Sequence, residues 1–172
     1  MKFSKALLVV VLSMSLVSTG CSAKWVTVAQ ADLPLIVNLV TAVLQLANPG
    51  DQKNVVEYAA EAQTDLRLVQ TLIDEYNKAS GTAKLTTQQK IIQTLTEASN
   101  HLNAILQAAH VSNSVESQHI AAAVQLAILT VNTITALMAN SKTASASALP
   151  TPEDLQKVVA DLQSFKTKAS IT

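Results

Sequence analysis

Few residues in this 172-residue chain have the type and spacing needed for chemistry, and they include one cysteine and three histidines. Glu116 and His119 have the Glu-x-x-His spacing that supplies metal ligands in di-iron helical bundles. Such a centre needs a second pair of this kind, but Glu97 and His101 are four residues apart. We therefore expect no metal site, and we interpret Glu116 as a residue that stabilises the start of a helix.

Two other arrangements could bind a cofactor or a cation. His101 or His110 together with Met138 could ligate a haem, but the chain has no CxxCH attachment motif. Acidic residues at four-residue steps, Glu57, Glu61 and Asp65, are typical of the solvated face of a helix. We interpret them as such a face rather than as a cation site, and we predict no cofactor.

Motifs for catalysis are also lacking in the sequence. No G-x-S-x-G nucleophile elbow is present. The three glycines, Gly20, Gly50 and Gly81, are isolated, whereas phosphate-binding loops need glycines close together. The sequence therefore predicts a protein that is not an enzyme.

The only cysteine, Cys21, follows a segment with the pattern of a secretory signal. Lys2 and Lys5 precede an uncharged apolar run over residues 6–17, and small residues occupy positions 18–20. The apolar run is shorter than the roughly 20 residues that a membrane-spanning helix needs. With no second cysteine, a disulfide within the chain is excluded. One interpretation is an ordinary secreted protein with a free cysteine at the cleavage site.

The stretch Ser18-Thr19-Gly20-Cys21 resembles the lipobox of bacterial lipoproteins, although Ser18 stands where leucine is commonest. This resemblance covers only about the first 21 residues. It implies cleavage between Gly20 and Cys21, a diacylglycerol on the Cys21 sulfur, and a further acyl chain such as palmitate on the new N-terminus. Two or more acyl chains anchor a protein stably. Because Ser22 is not aspartate, the resemblance implies the periplasmic face of the outer membrane in a Gram-negative cell.

Composition indicates the fold class of the remaining chain. After residue 20, ten basic and twelve acidic residues remain, so the net charge of −2 argues against a nucleic-acid partner. Aromatic residues make up only 3% of the chain and glycines are few, whereas a β-sheet protein would need more of both. We therefore predict an all-α fold.

Helix signals divide the chain into five helices. Asp32 and Pro34 predict a first helix over 32–47, and Thr86 with Gln89 forms a capping box for the third. Thr151, Pro152 and Asp154 start a short last helix. The prediction is an up-down four-helix bundle with a fifth short C-terminal helix. The predicted segments are the signal peptide 1–20, a lipidated tether 21–31, helices at 32–47, 52–79, 86–109 and 114–140 in a bundle over 32–140, a linker 141–150, and a C-terminal helix with its tail over 151–172.

Apolar residues recur at steps of three and four in each helix, as in left-handed bundles. The first and fourth helices are the most apolar, so we expect them to be neighbours. The fourth is long enough to span a membrane, but the stripe of Gln118, Gln125 and Asn132 favours a buried or partner-facing helix. The predicted seams are Val55, Ala59, Ala62, Leu66, Val69, Ile73 and Tyr76; Ile91, Leu95, Ala98, Leu102, Ile105 and Ala109; and Ile120, Val124, Ala127, Val131, Ile134 and Met138.

Two functional hypotheses follow from these features. The first is an envelope-anchored lipoprotein acting as a non-enzymatic structural or protein-interaction bundle, with an envelope protein or a second copy as its partner. The surplus apolar surface of the first and fourth helices favours it. The second is a binding module that holds a small apolar ligand between helices, because an Ala- and Val-rich seam can leave a cavity.

Overall fold

The computed structural model describes residues 23–47, 52–111, 115–139 and 150–169. Every regular element within these ranges is an α-helix, and no β-strand occurs in them. The all-α prediction is therefore confirmed. The helices are α1 (Ala23–Leu46), α2 (Lys53–Lys78), α3 (Gly81–Val111), α4 (Val115–Ala139) and α5 (Pro152–Ala169).

Helices that are consecutive in the chain pack together from α1 to α4, and α1 also packs on α4. The predicted contact between the two most apolar helices is thus confirmed. The fifth helix, α5, packs against both α1 and α4. One continuous hydrophobic core results, with residues from all five helices.

The predicted seams of α2, α3 and α4 are buried at every position. Steps of three and four residues keep side chains on one face of a helix with 3.6 residues per turn. The largest fully buried side chains come from these seams, from α1 and, through Leu155, from α5, and they include Leu66, Leu95 and Ile134. Periodicity in the sequence therefore identified the core of these three helices correctly.

The first helix begins earlier than the sequence predicted. Residues 23–31, assigned to a tether, are helical, and Asp32 lies inside α1 instead of capping it. The physical reason is that Trp25 and Ala29 continue the buried face of Leu33 and Ile36 toward the N-terminus. The Trp25 ring packs edge-on against Tyr76 of α2, with centroids 5.0 Å apart. Trp25 therefore belongs to the core of the bundle.

The third helix also begins earlier, at Gly81 and not at Thr86. The Thr86 hydroxyl does not cap the helix, because it donates to the Thr82 carbonyl 3.1 Å away. Gly81 has a φ of 54°, a left-handed conformation that glycine adopts without steric cost, and this allows a very short turn after α2. Across the turn, the Lys84 ammonium lies 4.6 Å from the centre of the Tyr76 ring.

The fifth helix is docked on the bundle. Leu155 and Leu162 are buried, and the Phe165 ring lies 4.6 Å from that of His119 on α4. Its N-terminus has the predicted cap. The Asp154 amide donates to the Thr151 hydroxyl at 3.2 Å, and the Thr151 amide donates to the Asp154 carboxylate at 2.8 Å.

Threonines inside the helices direct their hydroxyls to their own backbone. Thr130 of α4 is completely buried, and its hydroxyl donates to the Leu126 carbonyl at 2.9 Å. A buried hydroxyl that makes such a bond is satisfied without a partner on another helix. The same bond to the residue four positions earlier is made by Thr41, Thr64, Thr71, Thr86, Thr87, Thr94, Thr96, Thr133, Thr135 and Thr167.

Among the described residues, two helices are long and apolar enough to cross a membrane by length and composition alone. They are Lys24–Leu46 in α1 and Val115–Ala139 in α4. About half of the most apolar window in each is buried by the other helices. Core helices of proteins outside membranes share these properties. Length and hydropathy therefore do not distinguish a membrane-spanning helix from a core helix.

Candidate functional site

The residues predicted to carry the lipid, Gly20 and Cys21, lie outside the described residues. Cys21 is two positions before Ala23, where α1 begins. Any group attached to Cys21 is therefore separated from the bundle by very little chain.

A polar cluster links α2 and α3 through the imidazole of His101. The Nδ1 atom of His101 lies 2.8 Å from Oδ2 of Asp65, and its Nε2 atom lies 3.3 Å from Oε2 of Glu61. The His101 side chain is 31% exposed and that of Asp65 17% exposed. An imidazole with N–H groups on both nitrogens donates to both carboxylates, whereas a neutral ring has only one N–H. The ring of His101 therefore bridges carboxylates from two successive turns of α2, and the nitrogen that donates at each contact depends on the tautomer.

This cluster adds a contact to the acidic run on α2. Glu57 and Glu61 are exposed, as expected of a solvated face, whereas Asp65 is only 17% exposed, and both Glu61 and Asp65 contact His101. Their spacing places the two carboxylates on one side of α2, and that spacing was visible in the sequence. What the sequence did not show is which residue of α3 lies opposite them, because the register between two helices depends on packing over their whole length.

The described residues contain no group of three or more histidine, cysteine, aspartate or glutamate side chains arranged to hold a metal ion. Glu116 and His119, which have the di-iron spacing, both lie near the start of α4. The ring of His119 contacts Phe165 of α5. Met138 is buried at the other end of α4, with its side chain in the hydrophobic core.

A second polar feature is a cavity of about 310 Å³ between α1 and the start of α5. Asp32 lines it and is only 4% exposed. Burial raises the pKa of the Asp32 carboxyl above its ordinary value. No side chain or backbone group in the described ranges forms a hydrogen bond or ion pair with this carboxyl. The other lining residues are Thr27, Val28, Ala31, Pro150, Thr151 and Pro152.

Sequence reasoning missed this feature because it assigned Asp32 to a helix cap. A signal was nevertheless present. The apolar spacing of Trp25, Ala29 and Leu33 extends across Asp32, and a helix that started before it would place the carboxyl near the buried face.

A second cavity, also of about 310 Å³, lies between α1 and α2. Its apolar lining includes Ala29, Leu33 and Ile73, and its polar lining includes Gln70 and Asp74. Pro34 also lines it. Because proline has no N–H, the carbonyl four residues earlier in α1, that of Gln30, has no backbone donor at that position. The cavity is thus mixed in character, with an apolar floor and several acceptors.

Polar side chains at other depths join pairs of helices. The Gln63 amide donates to the Thr41 hydroxyl at 2.6 Å, between α2 and α1. The Ser99 hydroxyl donates to the Asn132 carbonyl oxygen at 3.0 Å, between α3 and α4. The Gln52 amide lies 3.3 Å from the Ser117 hydroxyl, close to the starts of α2 and α4. These bonds are spread through the bundle and converge on no single site.

Comparison of the chain with protein-family models, with curated proteins and with solved structures finds no match. The class of the protein is therefore defined by its own fold, an all-helical domain. Its distinguishing polar features are the His101 cluster and the Asp32 cavity.

Proposed function

We propose that this protein is an envelope-anchored bacterial lipoprotein whose helical domain has a non-enzymatic structural or protein-interaction role. The observation that carries the proposal is the N-terminal pattern, in which two lysines and an apolar run precede Gly20 and Cys21. In this proposal lipid on Cys21 holds the domain at the membrane. The outer membrane is its site in a Gram-negative cell, on the periplasmic face.

The position of α1 supports a short anchor. Between Cys21 and Ala23 the chain extends at most about 7 Å. If Cys21 carries acyl chains in the bilayer, the start of α1 is then held at the membrane surface. Lys24 and Trp25 belong to this first turn, and Trp25 is buried against Tyr76. The bundle itself, and not a flexible arm, then lies next to the lipid headgroups.

We further propose an up-down arrangement of α1 to α4. In support, Trp25 near the start of α1 contacts Tyr76 near the end of α2. The His101 cluster lies about midway along α2 and in the second half of α3. Gln52 and Ser117 bring together the starts of α2 and α4. In this arrangement, the ends that face the membrane are the start of α1, the turn between α2 and α3, and the end of α4.

Interaction with a protein partner is favoured by large apolar side chains that the bundle leaves exposed. Leu68 of α2 and Leu129 of α4 are each 48% exposed, and both lie well away from the helix ends. A protein that docks along α4 would cover Leu129. A second copy of the chain is an equally suitable partner by this criterion.

The test of the anchor uses the full chain expressed in its own host or in a bacterium with lipoprotein processing. We expect wild-type protein to incorporate an alkyne-labelled palmitate and to fractionate with membranes. Cys21→Ala should lose the label and either remain uncleaved or become soluble. Ser18→Ala serves as the matched control, since it changes the same segment but keeps the acyl acceptor. A labelled Cys21→Ala protein, or a wild-type protein without label, would refute the anchor.

The test of the interaction role is cross-linking in intact cells. A photoreactive residue at Leu129 should capture a discrete partner or a second copy, whereas the same residue at exposed Lys53 should not. Capture at neither position, in cells where the anchor is confirmed, would contradict the role in protein interaction while leaving the lipoprotein assignment standing.

The second candidate, a binding module for a small apolar ligand, is favoured by the cavity between α1 and α2 with its apolar floor. Native mass spectrometry of the protein purified from its host separates the two. A stoichiometric extra mass that is lost in Ala29→Leu, which fills the cavity, would establish the binding module. A chain of bare mass would count against it.

A further inference from the structure

The cavity between α1 and α5 contains a carboxyl group, that of Asp32, with which no group in the described residues forms a hydrogen bond or ion pair. Asp32 is 4% exposed and lines the cavity. Within the described residues, carboxylates within 4 Å of a cationic side chain are found only around His101. An ionised carboxylate in such surroundings is strongly disfavoured unless a cation or several donors approach it.

The start of α5, although close to Asp32, offers it few donors. The Thr151 amide already donates to Asp154, and the Asp154 amide donates to the Thr151 hydroxyl. Pro150 and Pro152 have no N–H at all. The helix end that would ordinarily stabilise an anion therefore has its nearest donors used or missing.

The charges around the cavity favour a cation as the missing partner. The Asp154 carboxylate accepts bonds from Thr151, which lines the cavity, and Glu153 is exposed on the first turn of α5. Lys24 is exposed one turn before Val28 and makes no ion pair within the described residues. An anionic ligand would meet the Asp32 carboxyl in the cavity and would lie close to the Asp154 carboxylate that Thr151 holds at its edge.

The apolar residues that line the rest of the cavity indicate which kind of cation it would bind. Val28, Ala31, Pro150 and Pro152 present hydrocarbon, which favours an organic ion over a hydrated metal ion. We propose that this cavity binds a primary alkylammonium ion, with its ammonium group against the Asp32 carboxylate and its short hydrocarbon chain against Val28 and the two prolines. A cavity of about 310 Å³ has room for such a small ligand.

This inference does not depend on the lipid anchor, and it also differs from the apolar-ligand alternative. That alternative concerns the cavity between α1 and α2, which is separated from this one by the body of α1. The present inference predicts that a charged probe binds better than a neutral one, and the apolar-ligand alternative predicts the reverse. Failure of one leaves the other unaffected.

The experiment is an NMR titration of the full chain with n-butylammonium chloride at pH 7 and constant ionic strength. We expect saturable shifts at Val28, Ala31 and Thr151, with millimolar affinity, which is reasonable for a ligand of so few atoms. Equal concentrations of n-butanol should not produce these shifts, because the alcohol has the same hydrocarbon chain without the charge. Asp32→Asn should weaken binding at least tenfold.

Two further variants make the outcome decisive. Asp161→Asn removes an exposed acid from α5 and should leave the affinity unchanged. Ala31→Leu keeps Asp32 but fills the cavity from an exposed position, and it should abolish the shifts. Equal affinity in Asp32→Asn and wild type would overturn the proposal. Equal chemical-shift changes with n-butanol would also overturn it. So would chemical-shift changes that appear at exposed acidic residues and do not saturate.

Discussion

His101 of α3 and Asp65 of α2 face each other with 2.8 Å between Nδ1 and Oδ2, although 36 residues separate them in the chain. Glu61 completes the arrangement on the other side of the ring. The pair fixes which turn of α3 lies against which turn of α2. Apolar seams alone specify this less strictly, because a seam of leucine and alanine allows neighbouring registers.

The pair should be energetically coupled. His101→Ala and Asp65→Asn should each lower the free energy of unfolding, and the double-mutant cycle should give a coupling of about 0.5–1 kcal/mol. The lower part of this range is expected since His101 is 31% exposed to solvent. Urea denaturation followed by circular dichroism measures all four proteins.

Glu97→Gln is the matched control for this cycle. Glu97 lies one turn before His101 on α3, but its carboxylate accepts a bond from Gln93 instead. Combined with His101→Ala, it should be additive within the error of the measurement. Additivity of Asp65→Asn with His101→Ala would mean that the observed contact contributes nothing to stability.

The docking of α5 should depend strongly on Leu155. Leu155 is completely buried, and a leucine-to-alanine change at such a site costs about 2–4 kcal/mol. Because α1 and α4 are the helices on which α5 packs among the described residues, this loss should appear as local detachment. In Leu155→Ala, the amides of α5 should exchange with deuterium much faster, while those of α3 keep their protection.

Leu129→Ala provides the comparison, since this leucine of α4 is 48% exposed. It should leave exchange in α5 unchanged. Equal loss of protection in α3 and α5 of Leu155→Ala would show that α5 is an integral part of one cooperative unit and does not detach separately.

Stability should depend on pH through Asp32. Burial raises the pKa of Asp32 in the folded state above its ordinary value of 3.8. The neutral carboxyl is therefore favoured by folding, so its contribution is fully present below pH 3.8 and is lost as pH rises through the raised folded-state pKa. Asp32→Asn should be more stable than wild type at pH 7, and the difference should shrink as the pH approaches 4.

Thermal unfolding of wild type and Asp32→Asn between pH 4 and pH 7, without added amines, measures this pH dependence of stability.

Asp154 provides a contrast, because its hydrogen bonds with Thr151 lower its pKa. Its contribution is present above the unfolded-state pKa and is lost as pH falls through the folded-state value. A stability difference between Asp32→Asn and wild type that does not change with pH would show that the pKa of Asp32 is the same in the folded and unfolded states.

The fold could be predicted from the sequence where one face of a helix is apolar over many turns. Leu66, Leu102 and Ile134 were assigned to the core from periodicity alone, and all three are fully buried. The start of α1 could not be predicted, because Asp32 and Pro34 together have the pattern of a helix N-terminus. The position of that start depends on a distant contact, the packing of Trp25 on Tyr76, which no local sequence pattern contains.

The polar features show the same limit. The spacing of Glu61 and Asp65 predicts two carboxylates on one side of α2. The identity of their partner depends on the position of α3, and the isolation of Asp32 depends on where α5 lies. Both are results of tertiary packing, and a sequence read one helix at a time contains neither.

The threonines of α4 also change how its surface should be understood. Thr130, Thr133 and Thr135 raise the polarity of the helix on any hydropathy scale, yet each hydroxyl is occupied by a carbonyl of the preceding turn. What a neighbouring helix meets at these positions is therefore mainly a methyl group on a branched carbon with little rotational freedom. In shape and stiffness these threonines behave as valines. The surface of α4 is therefore more rigid and less polar than its amino-acid sequence suggests.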